Sequence, residues 1–169
     1  MILGTLVDEV KLWNTPIIGA FLLWRFTQGY CDNHQTGDAP IGLLHFVASA
    51  ILISKELMKP ISNKRANLQS YVRSFENTKN SDILISLQQQ IIDKREYTLA
   101  AIDIATAEGL LVWDAESGKL YPRNLSKRPG RGKKLNVLMV REGKKAEILG
   151  KWFSEHDISS IESYLKVVF

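Results

Sequence analysis

"LLVWDAESGKLYP", Leu110 to Pro122, is the stretch from which the fold can be read outward. Two short apolar runs stand on either side of a Glu-Ser-Gly turn, which is the pattern of a β-hairpin. Just upstream, Gly109 is well placed as the C-terminal cap of a helix. The residues before it support one: Ile83, Leu84, Leu87 and Ile91 fall at i, i+1, i+4 and i+8, and the stripe continues after a kink into Leu99, Ile102 and Ala105. Helices followed by a hairpin read as a winged helix-turn-helix-like module. The segment from Lys94 to Glu108 takes the recognition position and the hairpin that of the wing.

Further upstream, Asn14 and Thr15 can cap a helix with Pro16 in its first turn, and Gly29 is the expected stop. "CDNHQTGDAP", Cys31 to Pro40, is dense in turn formers and reads as a loop. A second helix is expected from Ile41 to Met58, ending at Pro60 and apolar nearly all round through Ile53. Leu68, Tyr71, Val72 and Phe75 predict a third between Asn63 and Phe75, with Ser81 as the cap of the next. The expected class is mainly α with a small β-hairpin (α+β), in one compact domain over residues 1–169. Its sub-regions are N-terminal helices at 1–60, the winged-helix-like module at 63–125, and a basic loop with C-terminal helices at 126–169.

The chain has 169 residues, 45% hydrophobic and 24% charged, which suits one core. Cys31 is its single cysteine, so no internal disulfide can form and the cytoplasm is the expected compartment. "MILGTLVDEVKLW" carries Asp8 and Glu9 where an export signal needs a basic start. "IGLLHFVASAILI", Ile41 to Ile53, falls short of the ~20 residues that cross a bilayer and contains His45, so it reads as a buried helix and no membrane role is expected.

Net charge is +4, unevenly spread: Arg123 to Lys151 holds ten Lys and Arg against Glu142 and Glu147, a local +8 that leaves −4 for the remainder. The densest part is "KRPGRGKK", Lys127 to Lys134. It fails as a phosphate loop, because G-x-x-x-x-G-K-[ST] would need glycine where Lys127 stands and a hydroxyl where Lys134 stands. Arg123, Lys127, Arg128, Arg131, Lys133 and Lys134 are therefore candidate contacts to a nucleic-acid backbone or another anion, with a solvated loop or an acidic protein surface as the other readings. The segment from Lys94 to Glu108 carries net −1, which disfavours deep major-groove docking. Only Lys94, Arg95 and Thr98 in its first turn could reach a base edge.

Catalytic and metal constellations are weak. Cys31 and His34 have C-x-x-H spacing, but zinc would need two more ligands, and His45 sits in the most apolar helix. No third group orients a Cys-His nucleophile pair. Asp114 and Glu116 lie at the hairpin turn, where acids ordinarily serve the turn. No catalytic residue, cofactor or metal ligand is assigned.

At the C-terminal end, "KKAEILGKWFSEHDISSIESYL" predicts a helix ending near Phe153 and a short one from about Ser159, while "LNVLMV", Leu135 to Val140, fits either a strand or a helix start. Ile148, Leu149, Trp152 and Phe153 form one apolar stripe, which either closes the core or anchors a partner. Trp152, Phe153 and, on the hairpin, Trp113 are the candidate partner-binding residues.

"NTPIIGAFLLWRFTQGY" from Asn14, "ILISKELMKPI", "EGLLVWDAESGKL" and "AEILGKWFSEHDISSIESYL" together resemble the middle component of bacterial three-component ABC ATPase (ABC-3C) systems. The most distinctive residues are the opening Asn-x-Pro with Gly19, Gly29-Tyr30, and "LGKWF" at Leu149 to Phe153. The resemblance brings no catalytic residue, and from Arg123 to Lys145 it brings no motif. It implies a non-enzymatic adaptor linking an ATPase related to chromosome-maintenance and repair proteins with an effector in defence against mobile elements. The rival expectation is a free-standing winged-helix DNA-binding transcriptional regulator using Lys94, Arg95 and the basic loop.

Overall fold

The computed structural model describes residues 15–61, 66–76, 81–124 and 135–169. Pro16, whose ring fixes φ at a helical value, opens α1 (Pro16–Asn33). The helix runs straight through Gly29, the expected stop, and ends where the Asn33 amide donates to the Gly29 carbonyl at 2.7 Å and the His34 N–H to Tyr30 at 2.9 Å. The expected second helix is two. α2 (Gly42–Ile53) breaks at Ser54, which turns extended and whose hydroxyl accepts from the Leu57 N–H at 3.4 Å to cap the single turn α3 (Lys55–Met58).

α4 (Leu68–Glu76) buries the predicted Leu68, Tyr71, Val72 and Phe75. Asn67 caps it, accepting from the Ser70 N–H at 2.8 Å. Its expected start at Asn63 lies outside the described residues. α5 (Ser81–Ile85) has Ser81 as its first helical residue, not as a preceding cap. α6 (Leu87–Asp93) and α7 (Arg95–Ala107) follow, and the expected kink falls at Lys94. Gly109, at φ +72°, ends the run as predicted. Leu99, expected in the buried stripe, is 48% exposed. The face that α7 buries is Thr98, Ala101, Ile102 and Ala105.

The hairpin is β1 (Leu111–Asp114) paired antiparallel with β2 (Lys119–Pro122), Val112 opposite Tyr121 and Trp113 opposite Leu120. A third chain segment joins it. The Leu120 N–H donates to the Pro40 carbonyl at 3.1 Å and the Gly42 N–H to Gly118 at 2.8 Å, so Ile41 bridges to Lys119. The hairpin is thus tied to the N-terminal helices as well as to the helix preceding it. α8 (Leu135–Ser154) resolves "LNVLMV" as helix, and α9 (Ile158–Leu165) is capped by Asp157, which accepts from the Ser160 N–H at 2.7 Å.

α1 lies at the centre, with α8 and α7 packed along it. The α1–α8 crossing is backbone against backbone. A Cβ on Gly29 would fall 2.2 Å from the Glu147 carbonyl oxygen, and one on Gly150 would fall 2.1 Å from that of Phe26. Around the crossing, Phe26 meets Phe153 edge-on at 5.5 Å and His45 at 5.4 Å, and Trp152 meets Tyr71 at 5.6 Å. One continuous cluster runs from Ile18 to Val167, drawing on every sub-region anticipated from the sequence. The class is mainly α with a small antiparallel hairpin, as expected.

Candidate functional site

Side chains alternate across the two-stranded ribbon, so only one of its faces can lie on the core. Leu111 and Leu120 are buried, while Val112 and Tyr121, opposite each other on the outer face, are each 39% exposed. Trp113 points to the inner face near its edge and remains 46% exposed, its indole lying where a side chain on Gly42 would otherwise sit. Leu43, next along α2, is 49% exposed. The turn is built by Asp114, which accepts from the Glu116 N–H at 3.2 Å and from the Ser117 hydroxyl, and these bonds hold its carboxyl below the usual carboxylate range. Lys119 donates to Asp38 at 2.6 Å, fastening the hairpin to the loop before α2.

Trp152 and Phe153 are not surface anchors. Both are fully buried at the α1–α8 crossing, enclosed by Tyr71 and Phe26 respectively, and the Trp152 indole N–H has no hydrogen-bond partner among the described residues. The helical stripe closes the core because α8 has α1, α2 and α4 packed around it. Of the three candidate partner-binding residues, Trp113 alone is exposed.

Arg123 is the described edge of the basic segment. Its main chain is locked, the N–H donating to Leu110 at 2.8 Å and the carbonyl accepting from the Trp24 indole at 3.0 Å, with the residue as a whole exposed. Lys127, Arg128, Arg131, Lys133 and Lys134 lie outside the described residues. On α7, Thr98 is turned inward, donating to the Ser49 hydroxyl at 2.8 Å, so it does not reach outward beside Lys94 and Arg95. The exposed polar positions of the segment mix Lys94 and Arg95 with Glu96, Asp103 and Glu108.

His34 serves its own loop: its Nδ1 accepts from the Thr36 and Asp38 N–H groups at 3.3 and 3.2 Å. Burial, with Asp32 and Asp38 nearby, pushes the Cys31 thiol up to about 11, away from the thiolate a metal site needs. His34 and His156 do share an open cleft of about 680 Å³ between the ends of α1 and α8, lined also by Tyr30, Leu44 and Asp157. Among the described residues, no three His, Cys, Asp or Glu side chains are grouped to hold a metal, and no helix is long and apolar enough to cross a membrane.

His45 is fully buried. Its Nδ1 lies 3.1 Å from the Ile41 carbonyl, which can only accept, so Nδ1 carries the ring proton, while Nε2 lies 2.8 Å from the Thr27 hydroxyl, whose single proton faces both Nε2 and the Leu23 carbonyl at 2.7 Å. Burial lowers its pKa to about 4 against the partial opposition of the Ile41 and Gly42 main chain. It is a neutral core histidine bridging α1 and α2.

A family profile described as ABC-three component (ABC-3C) system Middle Component 3 matches residues 4–169. The chain belongs to this family. No curated protein and no solved structure matches it. The residues that carry the resemblance to ABC-3C middle components have structural work to do. Gly29 of Gly29-Tyr30 and Gly150 of "LGKWF" are the two close contacts of the α1–α8 crossing. The exposed apolar residues Leu43, Val112 and Tyr121 are absent from the sequence-based assignment. Period-two alternation through the hairpin, read together with its register, is the signal that marks Val112 and Tyr121 as outward.

Proposed function

We propose that this ABC-3C middle component is a non-enzymatic cytoplasmic adaptor, linking an ABC-type ATPase related to chromosome-maintenance and repair proteins with an effector in bacterial defence against mobile elements. The observation that carries the reading is Trp113, a large aromatic left 46% exposed on a hairpin that is otherwise fastened to the core by hydrogen bonds and the Lys119–Asp38 pair. Exposed aromatics flanked by apolar neighbours are the residues that dominate protein interfaces. Membership of a three-component family supports partners of protein kind.

The alternative, a winged-helix regulator, needs α7 to read DNA. Its exposed carboxylates and inward-turned Thr98 favour protein contact instead. The basic segment that begins at Arg123 suits a sequence-blind contact with a nucleic-acid backbone, sensitive to salt.

The deciding experiment is to purify the tagged protein from its native host with and without nuclease and to identify what accompanies it. Retention of an ABC-type ATPase after nuclease treatment is the expected result. Recovery of DNA with no stoichiometric protein would move the assignment to the regulator, and nucleotide turnover by the pure chain would overturn its non-enzymatic character.

A further inference from the structure

α1 and α8 run parallel, since Gly143 lies against Phe21 while Gly150, two turns on, lies against Phe26 and Tyr30. Their C-termini therefore reach the same end of the fold, where they open onto the cleft of about 680 Å³ shared by His34 and His156. Each of these long helices brings about half a negative charge to that end. Glu155 and Asp157, in the turn from α8 to α9, add full ones. The opposing charge is smaller: the α9 N-terminus contributes about half a positive charge, and Asp157 answers it by accepting from the Ser160 N–H at 2.7 Å. His34 contributes none, because its Nδ1 accepts from the Thr36 and Asp38 N–H groups. No Lys or Arg lines the cleft, and the cations flanking it are engaged, Lys151 at 4.0 Å from Glu155 and Lys119 at 2.6 Å from Asp38. The cleft is thus a negative site. The Cys31 thiol beside it, pushed up by burial and then by Asp32 and Asp38, marks the same field.

The walls narrow the ligand further. The Tyr30 and His34 rings stand nearly parallel, 16° apart in plane with centroids 5.5 Å apart, and His156 meets Tyr164 edge-on at 5.2 Å. Leu44 and the 39% exposed Ile158 supply apolar surface between the rings and the acids. A phosphate is repelled by this field, and a metal ion lacks a ligand set among the described residues. A guanidinium satisfies every wall at once: its plane stacks on aromatic rings, its fork of N–H groups meets carboxylates, and its methylene stem lies on apolar side chains. Lysine offers the charge without the plane.

We infer that the cleft at the α1 and α8 C-termini receives an arginine side chain of a protein partner, its stem against Leu44 and Ile158 and its head between the Tyr30–His34 pair and the acids of the α8–α9 turn. The inference rests on the adaptor reading and adds to the hairpin a second, electrostatic point of contact.

The test has two arms. In the first, the pure full chain is titrated with Nα-acetyl-argininamide and followed by NMR at the His34 and His156 rings. Both ring signals should shift saturably, and the neutral analogue Nα-acetyl-citrullinamide should leave them in place. Glu155→Gln with Asp157→Asn, which keeps a capping residue on α9, should weaken arginine binding by about tenfold. In the second arm the full chain is co-expressed with the remaining components of its system, and the same double variant, shown by circular dichroism to be folded, should lose about tenfold in partner retention. Absent shifts in the wild type, or equal shifts from the arginine and citrulline compounds, would overturn the proposal however the variant folds. Equal affinity for Nα-acetyl-lysinamide would overturn the assignment to arginine. Full retention by the folded double variant would remove the partner from the cleft and leave the adaptor reading intact. A wild-type chain that retains no component would end the adaptor reading, and docking at the cleft with it, whatever the arginine titration shows.

Discussion

Trp152 and Trp113 each sit among apolar residues in the sequence, yet the first is wholly enclosed and the second is 46% exposed. The difference lies in the elements that carry them. The α8 stripe is one face of a helix with neighbours on several sides, so Ile148, Leu149, Trp152 and Phe153 are all enclosed. A two-stranded ribbon buries only part of one face: Leu111 and Leu120 are spent on the core, the outward Val112 and Tyr121 have nothing to cover them, and Trp113, on the inner face but near its edge, is only about half covered. Apolar patterning alone does not separate a core residue from a contact residue. The number of faces the element can bury does.

The sharpest way to break this contrast is Trp152→Ala. Removing a fully buried indole should cost about 3–5 kcal/mol, measured by chemical denaturation, and should impair partner retention only by unfolding the chain. A stably folded variant that had selectively lost its partner would put Trp152 at an interface and erase the distinction drawn above.

Acid tests the same core from another side. His45 has a folded pKa of about 4 against an ordinary 6.5, so between those values the unfolded chain binds more protons than the folded one. Its contribution is fully present above pH 6.5, is lost as pH falls toward 4, and changes no further below that. The separation corresponds to about 3 kcal/mol. Urea midpoints measured across this window should fall with pH in the wild type, and His45→Gln should flatten that component of the slope.

Gly150→Ala probes the α1–α8 crossing itself. The added methyl would meet the Phe26 carbonyl and the Tyr30 N–H, both main-chain groups that cannot rotate aside, so the helices must separate. A loss of about 2 kcal/mol in denaturation is expected. Stability equal to wild type would show that the helices do not approach as closely as the geometry requires.

Gly29 also marks where sequence reading stops being sufficient. A glycine that ends a helix and a glycine that admits a neighbouring backbone look alike in one sequence, because what distinguishes them is Gly150 on a helix far along the chain. The hairpin and the helix before it were legible, since Gly109 and the Asp-Ala-Glu-Ser-Gly turn act locally. Leu99 was not: the buried face of α7 is set by which side chains fit against α1 and α2, and Thr98 enters the core only because Ser49 receives its hydroxyl. The break at Ser54 was hidden for a similar reason, as a capping serine inside an apolar run carries little signal of its own. For the candidate site, the alternation around Trp113 was readable, whereas the tie of the hairpin to Pro40 and Gly42 joins segments far apart in the chain and leaves no local signal.

The smallest effect on stability belongs to Trp113→Ala, and its smallness is what makes it informative. About half of the residue is covered, largely by the Gly42 region, and the hairpin keeps its ladder, its bonds to Pro40 and Gly42, and the Lys119–Asp38 pair without the indole. The folded state should lose ~1 kcal/mol or less by thermal or urea denaturation. Partner retention, in contrast, should fall well beyond what that loss explains, because a truncated aromatic anchor costs ~2 kcal/mol or more at an interface. A variant that unfolds as readily as Trp152→Ala would make Trp113 a core residue after all. One that stays folded and still holds its partner at wild-type strength would leave the exposed hairpin without the contact its chemistry favours.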